Sequence, residues 1–523
     1  MTDPDRLIFA FEEGRHEGPL VLGGKGAWLA EMTSMGMPVP PGFIIGCRCG
    51  REYLERGALP ARLPAELDDH LARLERSSGR RLGAARAPLL VSVRSGAPVS
   101  MPGMMDTILN VGLNEDVVCA LAAEASDEEF AWSCFARLLE SFARTVRGLS
   151  AGSVEEALID APGGAQERSR ALLRLIDARS SRPFPSDPRA QLLEALEAVF
   201  RSSESTRARA YRRHAGIEEG LGTAAVVQRM VFGNRATDSG SGVAFSRDPA
   251  TGAPGAYGEF LFGAQGEDVV SGEADPDTLA QLAARLPGVH AQLERVLARL
   301  ERHARDLCEV EFTVELGKLW VLQTRVAQRS GRAAVRVAVA MVDEGLIDVS
   351  EALQRVSSEQ LEQAAAPGFV RPPTDAERLA TGLPGSPGAA TGRAVFDSSR
   401  ALALDAEADE AVILVRPTTS PADVEGMIAA AGIVTGRGGR TSHAAVVARG
   451  MGRPAVCAVG DVHVAPDARS ATVNGRMLVE GEMLSVDGDR GAVARGVLPL
   501  ATATGGAELR RLCAWRHRGA VHD

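Results

Sequence analysis

The string Gly438-Gly439-Arg440-Thr441-Ser442-His443-Ala444-Ala445-Val446-Val447-Ala448-Arg449-Gly450 gathers the residues best able to do chemistry in this chain. Two glycines permit a tight turn. Thr441 is placed to cap a helix running from Ser442 to Arg449, with Gly450 closing it at the C′ position. His443 then falls in the first helical turn, where unpaired N–H groups and the positive end of the helix dipole favour an anion. An imidazole held there can attack phosphorus and carry the group it gains. Ala444 and Ala445 are small, so a second substrate can approach closely. A histidine at a helix start is also a common structural residue, and the helix alone leaves both readings open.

Other candidates lie earlier in the chain. Of the 58 basic residues only Lys25 and Lys318 are lysine. Lys25 stands in Leu22-Gly23-Gly24-Lys25-Gly26-Ala27, ahead of the apolar-periodic Trp28–Met35, and glycines with a lysine before a helix suit a phosphate-cradling loop. The spacing is not that of a P-loop. Lys318 reads as part of a hairpin turn with no chemical role. The run Leu89–Gly96 is an apolar strand delivering Arg94 to the loop Ser100-Met-Pro-Gly-Met-Met-Asp106-Thr107. A guanidinium there matches phosphate oxygens, and a strand-terminal salt bridge would use the same residue. Ala224–Phe232 and Gly240–Pro249 read as a strand pair that closes over a nucleotide or forms an ordinary hairpin. Glu309–Val314 and Leu319–Arg325 alternate as two strands around a glycine turn. Alternation puts Glu309 and Glu311 on one face, and Gln323 and Arg325 on one face of the partner strand. Such a set suits Mg²⁺ with a triphosphate, and it equally fits a solvated face with cross-strand ion pairs.

Taken together, residues from about Phe9 to Gly488 resemble the pyruvate phosphate dikinase family. The resemblance is carried by Gly23–Pro41, Val91–Leu113, Val227–Gly233, Gly258–Gly272, Glu311–Arg325 and Gly438–Gly452. Met101–Asp106 is similar to the phosphate-dependent dikinase rather than to its water-dependent relative, phosphoenolpyruvate synthase. The resemblance implies an α/β multidomain fold, with an ATP-grasp nucleotide domain followed by a swivelling β/β/α phosphohistidine domain. It implies that Lys25 and Arg94 contact the ATP phosphates and that Glu309 lies in the ATP site. Glu311 and Gln323 would hold Mg²⁺, Arg325 would neutralise transferring charge, and His443 would accept the phosphoryl group. Thr441 matches the position where some relatives are switched off by phosphorylation. Glu309 departs from the family's usual Asp. The family's (β/α)₈ barrel, which needs about 250 residues, is not expected within these 523. Onward transfer to pyruvate is therefore expected to need a site on a separate barrel protein. The alternatives are transfer to another small molecule, or a non-catalytic nucleotide-binding phosphocarrier or regulatory remnant.

The elements that must position these groups follow from pattern and composition. Residues 1–340 are expected to form the ATP-grasp unit, with a helical insertion at about 115–215 broken at Arg182–Pro188. Gln281–Ala304 is an amphipathic helix interrupted at Pro287. Residues 341–381 form a helical linker, 382–497 hold short strands around the His443 helix, and 498–523 are a tail expected to fray. The net charge of −10 argues against a nucleic-acid partner, and no apolar run approaches membrane length. Seven cysteines without CxxC spacing and an N-terminus without a signal pattern point to reduced thiols in the cytoplasm. The expected partners are ATP, AMP, phosphate and pyrophosphate, and a homodimer is the expected assembly.

Overall fold

The computed structural model describes residues 5–99, 101, 105–214, 216–270, 276–408, 411–501 and 506–519. Parts of two expected motifs, Ser100 with Pro102–Met104 and Ser271 with Gly272, lie outside the described residues. The architecture is mixed α/β, and the chain divides into two compact units. One comprises residues 1–235 with 320–324, the other 236–319 with 325–523.

The first unit is built on an antiparallel sheet. Its strand order is Ile8–Ala10, Gly42–Ile45, Ala224–Arg229, Val91–Gly96 and Thr107–Val111. Between Glu115–Ala125 and Thr206–His214 the chain is helical, as its composition predicts. Asn114, Asp127, Ser150 and Asp187 each cap a helix by accepting from a backbone N–H of the first turn. Phe130, Phe135, Leu138, Phe142, Leu196 and Phe200 turn inward from these helices into the core that also holds Val91, Val93 and Val227.

The second unit contains three further sheets, and two of them position the candidate residues. In one, Asp277–Thr278, Pro254–Phe262, Gly240–Arg247 and Cys308–Glu315 follow in that order, and the next strand, Lys318–Val326, has its residues 320–324 in the first unit. The expected pairing of Ala224–Phe232 with Gly240–Pro249 is not formed: the former strand pairs with Gly42–Ile45 and Val91–Gly96, the latter with Pro254–Phe262 and Cys308–Glu315. Two β-rich runs separated by Gly and Ser look alike whether they pair or diverge, and the partners were distant in sequence. The expected hairpin is present, turning at Leu316 and Gly317 with φ of 51° and 70°. Helices Leu279–Arg285 and Pro287–Ala304 meet at the expected break.

The other sheet has Ala389–Val395, Val412–Arg416, Gly432–Thr435 and Ala455–Cys457 running parallel at its centre, with antiparallel strands outside. The tail is not frayed: Ala507–Gly519 is a helix that buries Leu509, Leu512 and Trp515 against Val335, Val339 and their neighbours. Arg511 holds Asp343 through two hydrogen bonds of 2.7 and 2.6 Å. Three apolar residues at helical spacing found a core that the sequence did not advertise. Among the described residues no helix is long and apolar enough to cross a membrane. Among the described residues the seven cysteines form no disulfide.

Candidate functional site

His443 owes its place to the parallel strands. The chain leaves Val412–Arg416 into the loop of Thr419, Ser420 and Asp423, and leaves Gly432–Thr435 into the loop that ends at His443. Both loops follow the carboxyl ends of neighbouring parallel strands, where open α/β sheets form their ligand crevices. The helix runs His443–Gly450, and Ser442 rather than Thr441 is its N-cap, with no side-chain bond to the helix. Gly450 is the last helical residue, and the left-handed residue is Gly452, φ 65°. Gly438, φ 103°, makes the expected turn.

The imidazole is largely buried. Nδ1 lies 3.3 Å from Thr419 Oγ1, and Nε2 is buried with no hydrogen-bond partner among the described residues. Burial pushes the His443 pKa down to about 4, with Asp423 opposing the shift, so the ring is neutral at pH 7. If Nδ1 carries the proton, it donates to Thr419 and Nε2 presents a bare lone pair. The other tautomer would bury an N–H without an acceptor. Asp423 is fixed by Ser420 N at 2.9 Å, Ser420 Oγ at 3.1 Å, Ser398 Oγ at 2.8 Å and an ion pair with Arg416 at 3.4 Å.

Thr441 is spoken for. Its hydroxyl and its backbone N–H (2.9 Å) donate to the carboxylate of Glu259, which also accepts from Arg440 N at 2.7 Å. Glu259 is buried on the strand Pro254–Phe262. A Cβ at Gly439 would come within 2.4 Å of its Oε2, which explains the glycine. The Thr441 hydroxyl is therefore buried and engaged while this turn holds Glu259.

In the hairpin, Glu309 and Arg325 form an ion pair at 2.6 Å, with Glu309 buried. Glu311 is half-buried and has no hydrogen-bond or ion-pair partner among the described residues. Its neighbours Val310 and Phe312 face the core. Gln323 is half-buried in the first unit. No group of three or more His, Cys, Asp or Glu among the described residues could hold a metal by itself. The Glu311 carboxylate by itself is a donor that fits Mg²⁺, a hard cation that keeps waters and takes phosphate oxygens to complete its octahedron.

Lys25 and Arg94 belong to the first unit. The glycine segment does not precede the helix but breaks it: Pro19–Ser34 is helical on both sides of Gly23, φ 69°. Gly24 N bonds Ala97 O at 2.9 Å, and a Cβ at Gly23 would strike Gly96 O at 1.8 Å. The Lys25 segment is thus docked on the end of the strand that carries Arg94, whose Nη1 lies 3.4 Å from Leu322 O.

Sequence patterns for a nucleotide domain and a histidine carrier have close counterparts elsewhere. The profile of the pyruvate phosphate dikinase AMP/ATP-binding domain matches residues 56–291, and that of the PEP-utilising enzyme mobile domain matches 408–491. The chain belongs to the pyruvate phosphate dikinase family. It is 42% identical over 541 residues to pyruvate, phosphate dikinase of Rhizobium meliloti (strain 1021), covering 98% of this chain and 60% of that one. It is 44% identical over 532 residues to pyruvate, phosphate dikinase 2 of Zea mays, covering 97% and 60%. The Clostridium symbiosum enzyme of the same name is 40% identical over 529 residues, covering 98% and 60%. The chain thus spans about three-fifths of the length of these relatives.

Glu259, Thr419, Asp423 and Arg449 were not singled out in the sequence. Ser420-Pro421-Ala422-Asp423 carries a readable capping signal, and the structure shows that capping box. Glu259 and Arg449 carry none beyond lying inside the family strings.

Proposed function

We propose that this chain catalyses ATP- and phosphate-dependent phosphorylation of His443, giving AMP and pyrophosphate. Its modules would be an ATP-grasp unit at 1–340, a helical linker at 341–381 and a mobile phosphohistidine module at 382–497. The observation that carries the reading is the neutral imidazole with Nδ1 held by Thr419 and Nε2 unengaged at a helix start. Nε2 donates its lone pair to the β-phosphorus as the P–O bond to AMP breaks. Inorganic phosphate then takes the γ-phosphoryl group from the histidine-bound pyrophosphoryl group to leave as pyrophosphate, so that the β-phosphoryl group stays on His443. The sum is ATP, phosphate and histidine in, and AMP, pyrophosphate and phosphohistidine out. Lys25 and Arg94 bind the ATP phosphates, and Arg325, already paired with Glu309, offsets charge on the transferring group. Mg²⁺ bound by Glu311 and Gln323 would supply further neutralisation of the polyphosphate. Pyruvate, the substrate in the names of the relatives, is the proposed acceptor of the second transfer.

The test is labelling with ATP carrying 32P at its β-phosphate. His443→Ala should abolish acid-labile, base-stable protein labelling while calorimetric Mg·ATP binding persists. Undiminished labelling in that variant would overturn the assignment.

A further inference from the structure

Two carbonyl groups near His443, from distant parts of the chain, meet on one buried side chain. Gly385 is the unpaired residue of a β-bulge on the edge strand Leu383–Ser386, where Pro384 faces Val456 and Ser386 faces Ala455. A bulge turns its extra peptide out of the ladder. Arg440 lies in the turn before the histidine helix. Arg449 Nη1 donates to Gly385 O at 2.7 Å and to Arg440 O at 2.9 Å. Arg449 is 1% exposed and forms no direct ion pair among the described residues. An apolar side chain would fill the same space without the cost of stripping water from a guanidinium. Packing alone does not account for the charge.

The other end of the same peptide does. The Arg440–Thr441 peptide offers its oxygen to Arg449 and its N–H, at 2.9 Å, to the buried carboxylate of Glu259. A trans peptide points these two groups in opposite directions. Cation, peptide and anion thus stand in a row, and each charge polarises the peptide so as to strengthen its bond to the other. We propose that Arg449 is a positioning residue for His443, and that it forms with Glu259 a buried charge pair joined through the Arg440–Thr441 peptide. A reversed peptide would set its oxygen against the carboxylate and its N–H against the guanidinium, both repulsive. The pair therefore admits one orientation of the peptide, and Ser442, the N-cap, and His443 follow directly from it. The effect on His443 rests on its proposed phosphorylation; the charge pair does not.

The test combines hydrogen–deuterium exchange of the Thr441 amide with single-turnover labelling from ATP carrying 32P at its β-phosphate, both on the full chain. Arg449→Met should raise Thr441 exchange and slow labelling, each at least tenfold. Exchange in the strand Val412–Arg416 should stay unchanged, and calorimetric Mg·ATP affinity should stay within twofold of wild type. Arg449→Gln, a neutral donor, should show the same losses and serves if Arg449→Met does not fold. Arg449→Lys, which keeps the charge, should recover most of the labelling rate. Because both charges act on one peptide, adding either neutral Arg449 variant to Glu259→Gln should change each readout less than threefold further. Losses that multiply in the double variant would overturn the proposal, as would unchanged Thr441 exchange in the folded Arg449 variants or a lysine variant no better than the glutamine one. Absence of labelling in the wild type would instead refute the phosphorylation of His443, and Thr441 exchange would then decide the charge pair by itself.

Discussion

At the scale of single residues, the proposed chemistry turns on which nitrogen of His443 is left bare. Thr419 decides this by engaging Nδ1. Thr419→Val keeps the side-chain shape and removes the partner, at a cost of about 1 kcal/mol in ring orientation and tautomer. Single-turnover labelling should slow about five- to tenfold, and Thr419→Ser should restore most of the rate. An unchanged rate in the valine variant would remove Thr419 from the mechanism. The depressed pKa of His443 has a consequence for stability. In the unfolded chain the ring takes up a proton near pH 6.5, whereas in the folded chain it does so only near 4. The unfolded state therefore binds more protons between these values, so stability is present above pH 6.5 and is lost as pH falls towards 4. The loss by pH 5 is roughly 2 kcal/mol. Urea unfolding at pH 7 and pH 5 should show this loss in the wild type and a smaller one in His443→Ala. Equal losses in the two proteins would contradict the buried, neutral ring.

At the scale of elements, glycines set how closely one segment can approach another. Gly439 lies where a Cβ would come 2.4 Å from Glu259 Oε2. Gly439→Ala should push the turn off Glu259, lowering the thermal midpoint by a few degrees for a strain of about 1–3 kcal/mol. Phosphohistidine labelling should fall at least tenfold if the turn also positions His443. A variant with wild-type melting and labelling would show the contact to be looser than the geometry requires. The strand arrangement explains why the turn sits there at all. Parallel strands Val412–Arg416 and Gly432–Thr435 end together, so the loops carrying Thr419 and His443 must emerge side by side.

At the scale of the whole molecule, a chain of net charge −10 proposed to bind polyphosphates needs cations where phosphate lies. Two lysines in the whole chain, one of them in a glycine segment docked on the Arg94 strand, fit that need. Chelation of divalent cations with EDTA should abolish labelling yet leave the circular dichroism spectrum and thermal midpoint unchanged. The described residues hold no carboxylate cage that would make a metal structural. Unfolding on chelation would refute that reading. Much of this organisation was legible in the chain itself. That Glu309 shares a face with Glu311, and Gln323 with Arg325, follows from strand alternation by period alone, whereas the pairing of Glu309 with Arg325 is a tertiary contact. The turn at Gly438 and the helix that opens at His443 follow from local backbone preferences. These are short-range effects, and a linear pattern records them to within a residue. What the sequence left open depended on partners far apart along the chain. Glu259 meets Thr441 across 182 positions, and Thr441 therefore serves Glu259 instead of capping its helix. Ala224–Arg229 and Gly240–Arg247, near in sequence, join different sheets because longer-range pairing satisfies their backbones. Arg449 reads as an ordinary helix-terminal cation until the fold buries it. Composition and period determined which groups could do the chemistry. Only tertiary packing, which trades local hydrogen bonds for distant ones and strips water from chosen side chains, decided which of them meet.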